Sequence, residues 1–487
     1  MKRLICTLLL TILLASSVSW ADGSSADAEN LSRRCVYTST ITRKYWQENI
    51  TDGKLETHIT FPQGAEIVIE WQSEIEARYL YWEWYELPSA CSLFLYDGTG
   101  ALKESVSLGG GFLNDAKEVS ADIRKAVFIA YEEFDLSELR VYGEGVLPEN
   151  YHPWEPEAER VDFLIVAMHP DDDALFLGGV MPIYGAEKGY AGTILYMATR
   201  TRLRCTEALN GAYLMGLRTY PILAGFPDIP STMPQELKDT FTLEDVTEYL
   251  VGQFRKLKPL VVVSHDMEGE YGHWQHKLLA QATLDAAELA ADPAYSPETA
   301  AEWGVWEVRK VYLHLYPENT MELPTDLPLA AFDGKTAFEI ASLAYDCHES
   351  QQTGVHLISD DGEYGIRYFG LAYSTVGLDS GSNDMFENID AALLSSSSSS
   401  SSPDATSTPA LEQPSPALSE TSLAPSEVAA SPTPSPSPAT ATPSPAPVSS
   451  GADEGGSSTP LIWLILGALA ALLTIGVVIV GIKSRRS

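Results

Sequence analysis

The chain predicts two folds in series: an all-β sandwich over residues 35–148, then an α/β domain with a mostly parallel sheet over 158–390. Three observations carry this. Apolar residues alternate at period two in the first region, as on a half-buried strand, and apolar strands alternate with helical patterns in the second. At about residue 391 the composition turns to Ser, Pro and Thr, and a last apolar run follows. The 487 residues carry 31 Lys+Arg against 67 Asp+Glu. So acidic a surface argues against nucleic acid and against docking on anionic lipid by charge. It says nothing about oligomeric state.

Lys2 and Arg3 precede an apolar run from Leu4 to Leu14, and Ser19 and Ala21 are the small side chains a signal peptidase requires. Residues 1–21 therefore read as a signal peptide cleaved after Ala21. The alternative is an uncleaved anchor, for which the run is short. Cys6 leaves with the leader, so Cys35, Cys91, Cys205 and Cys347 remain, one pair in each predicted domain. Two bridges and buried thiols weigh equally here, and no spacing forms a zinc knuckle.

Within 35–148 the segments KLETHITFP, AEIVIEWQS, RYLYWEWYE, CSLFLYDG, AVFIAYEEF and LRVYGEG are short and bounded by turn residues. That spacing suggests an antiparallel sandwich. The ending SELRVYGEG resembles the last strand of galactose-binding-like (discoidin-like) sandwiches. Tyr79, Tyr81, Trp82, Trp84 and Tyr85 invite a sugar-stacking platform. Neighbours along a strand face opposite sides, however, so alternate members filling the core is the simpler reading.

In the second region VDFLIVAMH, AGTILYMATR, TYPILAGF, PLVVVSHD and VRKVYLHLY read as strands. Helical patterns lie between them: RLRCTEALNGAYLMGL, then TLEDVTEYLVGQFRKL capped by Thr242, then a run from about His273 to Leu289. This alternation predicts a Rossmann-like, largely parallel sheet covered by helices. Sites in such sheets form beyond the carboxyl ends of the strands, which points to His169 onward, to Asp228 and to His265 onward.

Residues 391–460 cannot bury a core and read as a semi-stiff, disordered Ser/Pro-rich stalk. Leu461 to Ile482 is uncharged and long enough to cross a bilayer. Lys483, Arg485 and Arg486 mark residues 483–487 as a cytoplasmic tail. The expectation is a single-pass cell-membrane protein with its folded part outside.

Two strand ends hold potential metal ligands: His169-Pro170-Asp171-Asp172-Asp173, and HDMEGEYGHWQH, which ends in His273 and His276. A catalytic zinc takes three nitrogen or oxygen ligands and leaves a position open. His169, Asp172 and His276 would supply such a set, with Asp171 beside it as general base. Spacing alone does not decide between the aspartates. His273, three residues before His276, would stabilise an oxyanion as an imidazolium or protonate a leaving amine. Taken singly, an Asp run after a strand is commonly a helix cap, and an HxxH pair is common by chance. Their coincidence at strand ends of one domain is what favours a metal site. His265 and Asp266 would support the site, and His314 reads as a core or rim histidine. Gly178-Gly179 is not followed by a G-x-G-x-x-G pattern, which argues against nucleotide. Cys205 has no nearby His and is a poor nucleophile.

HPDDD and GHWQH resemble the H-P-D-D-E and H-x-x-H signatures of the PIG-L (LmbE-like) zinc-dependent N-deacetylases. The likeness covers about 160 to 390 and includes Arg204 and Glu207 (an R-x-x-E helix), Asp228 in GFPDIP, Ser350 to Gln352, and MFEN. The resemblance implies a PIG-L-type α/β fold and Zn2+ held by His169, Asp172 and His276. It also implies Asp171 as general base, His273 facing the tetrahedral intermediate, and Arg204 and Asp228 meeting the sugar. The family's first motif usually ends in Glu. Asp173 is one methylene shorter, so a neighbour it orients would be held less firmly.

These readings combine into a surface-anchored N-deacetylase acting on the acetamide of N-acetylglucosamine-type residues in an extracellular glycan or glycoconjugate. The rivals are a glycan-binding surface protein with an inactive deacetylase-like domain, and a zinc hydrolase of another amide or ester.

Overall fold

The period-two segments become antiparallel strands because each places one face against apolar neighbours and the other toward solvent. The computed structural model describes residues 27–395 except 89, 109–110, 149, 200, 231, 234 and 353–356. The expected leader (1–21), residues 396–460 of the expected stalk, and the expected membrane segment and tail (461–487) lie outside the described residues. Among the described residues no helix is long and apolar enough to cross a membrane.

The first strands are β1 (Val36–Ser39), β2 (Ile59–Phe61), β3 (Glu66–Glu70), β4 (Tyr79–Glu86), β5 (Cys91–Asp97), β6 (Leu102–Ser107), β7 (Asn114–Glu118), β8 (Ile123–Ala130) and β9 (Phe134–Tyr142). They form two antiparallel sheets, ordered β1-β3-β8-β5-β6 and β2-β9-β4-β7. Ile67, Ile69, Leu93 and Phe128 of one sheet share a buried cluster with Phe61, Trp82, Trp84 and Leu139 of the other. The aromatic segment on β4 is thus largely interior: Tyr81, Trp82 and Trp84 are all buried.

The α/β domain is a seven-stranded sheet built from β10 (Phe163–Ala167), β11 (Gly192–Tyr196), β12 (Ile222–Leu223), β13 (Val261–Ser264), β14 (Lys310–His314), β15 (Thr320–Glu322) and β16 (Tyr368–Ser374). Its order is β12-β11-β10-β13-β14-β16-β15. The first five strands are parallel, and β16 and β15 close one edge in antiparallel pairing. Helices α1 (Asp172–Leu175), α2 (Arg202–Leu214), α3 (Leu243–Leu257), α4 (Trp274–Leu289) and α5 (Ala337–Asp346) pack around it. Alternate residues of β10 enter two different cores, Phe163, Ile165 and Ala167 one and Leu164 and Val166 the other. Burial on both faces is why this strand reads as an unbroken apolar run. Thr242 caps α3 as expected, its side chain accepting from Asp245 N at 3.1 Å.

Sandwich and α/β domain pack on each other. Buried Arg202 at the start of α2 donates from Nε to the carbonyl of Trp84 at 2.8 Å, and Leu113 N donates to the Tyr220 hydroxyl at 3.1 Å. Leu113 itself joins the α/β core. The four cysteines are thiols, so the two-bridge alternative is not realised. Burial pushes Cys35 and Cys205 up to about 11 and Cys91 to about 12, which makes them poor nucleophiles.

Gly178 and Gly179 serve packing. A Cβ on Gly178 would lie 2.4 Å from the Ala174 carbonyl oxygen and 2.6 Å from the Ala341 methyl of α5. Gly178→Ala is therefore expected to lower stability by about 1–3 kcal/mol through overpacking. A fall in the midpoint of thermal or urea unfolding, at unchanged secondary structure, checks this.

Candidate active site

The parallel strands end along one edge of the sheet, and the loops leaving β10, β12 and β13 converge there. The loop after β10 carries His169 to Asp173, the one after β12 carries Asp228, and the one after β13 carries His265 to His276. Arg204 arrives from the first turn of α2. The turn before α4 requires glycine: Gly269 has φ +65°, and a Cβ there would meet the His273 carbonyl oxygen at 2.4 Å. His273 is the N-cap residue of α4 and His276 lies in its first turn, so their ring centroids are 4.6 Å apart.

Three donor atoms from two strand ends form a tight triangle. His169 Nδ1 lies 3.0 Å from His276 Nε2 and 3.2 Å from Asp172 Oδ2, and His276 Nε2 lies 3.3 Å from Asp172 Oδ2. Ligands about 2.0–2.1 Å from a tetrahedral zinc ion stand about 3.3 Å apart, so the spacing and the His-Asp-His chemistry fit that ion. His265 Nε2 is also near, 3.4 Å from Asp172 Oδ2, but it already accepts the Met168 N–H at 3.0 Å. Its lone pair is engaged, which separates it from the other three donor atoms. Burial alone would raise Asp172, yet His276, His169 and His265 outweigh it and hold this carboxylate well below the usual range.

Asp171 stands at the N-cap position of α1, but its side chain makes no capping bond. It turns instead to Arg204, whose Nη2 donates to Oδ1 at 2.6 Å. Burial first, then the charge of Asp172, raises its pKa, and Arg204 opposes the rise. The same guanidinium donates from Nη1 to Asp228 Oδ2 at 2.7 Å. The structure therefore joins the two residues expected to meet the sugar: Arg204 clamps two carboxylates, and Asp228 keeps a third of its side chain exposed. Asp173 is fully buried. Tyr196 donates to its Oδ2 at 2.6 Å, Oδ1 has no partner, and burial pushes its pKa up to about 7.

His273 differs from the imidazolium expected of it. Burial, then the neighbouring His276 and His169, push it down to about 3, which favours the neutral ring over the imidazolium.

Sequence reasoning missed Glu270. It is completely buried and receives His265 Nδ1 at 2.9 Å, His276 Nδ1 at 2.8 Å and His314 Nδ1 at 2.8 Å. Three imidazoles hold it well below the usual carboxylate range although burial opposes them. The sequence offered three carboxylates between the histidines of this loop, Asp266, Glu268 and Glu270, and nothing in their order singled out Glu270. Tyr271, Phe176, Leu175 and Gln351 complete a cavity of about 170 Å3 over the triangle. His348, buried and pushed down to about 3 by burial and then by Arg204, was also missed.

Residues 164–287, which contain His169, Asp171, Asp172, Arg204, Asp228, Glu270, His273 and His276, match the family described as PIG-L: GlcNAc-PI de-N-acetylase. The chain is 31% identical over 197 residues to 1D-myo-inositol 2-acetamido-2-deoxy-alpha-D-glucopyranoside deacetylase 1 of Catenulispora acidiphila, covering 35% of this chain and 60% of that protein. It is 27% identical over 191 residues to the corresponding deacetylase of Streptomyces avermitilis, covering 33% of this chain and 63% of that protein. With deacetylase 1 of Frankia casuarinae the identity is 26% over 311 residues, 51% of this chain and 97% of that protein. The chain thus spans less than two thirds of the first two relatives.

Zinc added to metal-stripped protein should bind at close to one ion per chain, measured by mass spectrometry of the metal after desalting. Asp172→Asn and His276→Gln should each reduce the bound zinc severalfold or more, since each removes one of three ligands.

Proposed function

We propose that this chain, whose residues 164–287 form a PIG-L domain, is a zinc-dependent N-deacetylase. Its substrate would be the acetamide of an N-acetylglucosamine-type residue in an extracellular glycan or glycoconjugate. The observation that carries the reading is the His169-Asp172-His276 triangle with Asp171 beside it, outside the ligand set. When bound there, zinc would polarise the acetamide carbonyl and acidify the attacking water.

The remaining chemistry falls to the chain's own groups. Asp171 accepts the proton of the water as its oxygen bonds to the acetyl carbon. Its raised pKa suits a group that must take up a proton and then release it. Arg204 keeps the carboxylate oriented through Oδ1. The neutral His273 offers an N–H to the oxygen on which negative charge develops. When the carbon–nitrogen bond breaks, the proton held on Asp171 passes to the nitrogen, leaving acetate and a free amine. Asp228, partly exposed, would take a sugar hydroxyl.

The cavity of about 170 Å3 lies below the 300–1,000 Å3 typical of whole-ligand pockets. It suits the acetamide end of one sugar rather than an enclosed oligosaccharide, and polymer outside it would lie across the surface. Placement at the cell membrane rests on the leader, the stalk and the apolar segment 461–482.

Asp171→Asn should lower acetate release from N-acetylglucosamine oligosaccharides by about 10²–10⁴-fold while zinc content stays at the wild-type level. Undiminished release would remove Asp171 as the base. Deleting 461–482 should move the protein from the membrane fraction to the soluble fraction; retention there would refute the anchor.

A further inference from the structure

Glu270 occupies a position that the deacetylase chemistry does not itself use. We propose that it is the positioning residue of the metal centre, setting two of the three ligands through different routes. This rests on the reading of His169, Asp172 and His276 as ligands.

The direct route runs through Oε2, which accepts His276 Nδ1–H at 2.8 Å. With that nitrogen committed, Nε2 is the one presented to the ion, and the ring plane is fixed by a carboxylate that cannot rotate away. The indirect route starts at the same oxygen, which accepts His265 Nδ1–H at 2.9 Å. His265 is thereby held with Nε2 as an acceptor, and it receives the backbone N–H of Met168 at 3.0 Å. Met168 immediately precedes His169, so the contact fixes where β10 releases its ligand. Glu270 thus links the end of β10 to the end of β13 and the start of α4.

The other oxygen anchors the carboxylate. Oε1 accepts His314 Nδ1–H at 2.8 Å, from the last residue of β14, and the N–H of Asp266 at 3.2 Å. Each oxygen therefore accepts two donors, the full capacity of a carboxylate. An amide in its place turns one oxygen into an N–H donor and sets that donor against two others. Removing the carboxylate while keeping its shape should therefore disturb the ligands more than the fold.

The test compares zinc affinity with stability in the full chain, using Glu270→Gln, His265→Phe and Asp379→Asn. Asp379 accepts from Lys310 on β14, outside the ligand set, and serves as a control for loss of a buried ion pair in the same sheet. Competition with a chelator should show zinc binding about 10–100-fold weaker in Glu270→Gln, the range for loss of a ligand's supporting partner. His265→Phe, which breaks only the indirect route, should show a smaller loss. Asp379→Asn should retain wild-type zinc affinity even where its unfolding midpoint falls as far as that of Glu270→Gln. A nitrogen-15 spectrum of the zinc-loaded wild type should show His276 protonated at Nδ1. Zinc affinity within twofold of wild type in Glu270→Gln would overturn the inference while leaving the metal site standing. An equal loss in Asp379→Asn would reduce the effect to general destabilisation and overturn it too. Failure of the wild type to bind zinc would overturn the metal site itself and the inference with it.

Discussion

Charge buried at the end of a sheet is costly unless each group finds a partner, and that constraint organises this molecule. Asp171, Asp172, Asp173 and Glu270 all lie at or near zero exposure beside the ends of β10 and β13. Arg204 compensates Asp171, and three imidazoles surround each of Asp172 and Glu270. Asp173 has no cationic partner beside the Tyr196 hydroxyl, and burial pushes it up to about 7, while burial also raises Asp171 against the pull of Arg204. The two carboxylates ringed by imidazoles, Asp172 and Glu270, are held well below the ordinary range, and the other two are raised by burial.

The same electrostatics separates two adjacent aspartates into different roles. Asp172 is surrounded by imidazoles and held far below its ordinary range, as suits a metal ligand. Asp171, one residue earlier, turns away to a guanidinium and has a raised pKa, as suits a proton acceptor. The separation comes from backbone direction at the start of α1, which sends consecutive side chains to opposite neighbours. Arg204 then ties Asp171 to the partly exposed Asp228, so the two carboxylates share one cation.

The N-terminal sandwich is joined to this machinery at α2. Arg202, two residues before Arg204, is held by the backbone of β4 in the sandwich. The helix that delivers the clamp is therefore seated on both parts of the folded region, and displacement of the sandwich would be felt at Arg204. Burial of Tyr81, Trp82 and Trp84 assigns these aromatics to packing, so glycan stacking by the sandwich would have to use other side chains.

Much of this was legible without coordinates. Period-two and strand–helix rhythms identified the sandwich and the parallel sheet, because burial on one or both faces of a strand writes itself directly into residue order. The strand-end rule and the composition of two loops located His169, Asp171, Asp172, His273 and His276, because metal and base chemistry need those side chains. The likeness to the PIG-L family then supplied the expectation that Asp172 is the ligand and Asp171 the base. Tertiary structure alone decided what depends on distance between segments far apart in sequence. Glu270 acquires its meaning from His314, 44 residues on, and from His276 on the next helix. Arg204 became a clamp through two loops that converge on it, and His273 is pushed down by burial and then by His276 and His169. The residue types are local and can be read in order, whereas partners, burial and hence protonation arise only when the strands bring those residues together.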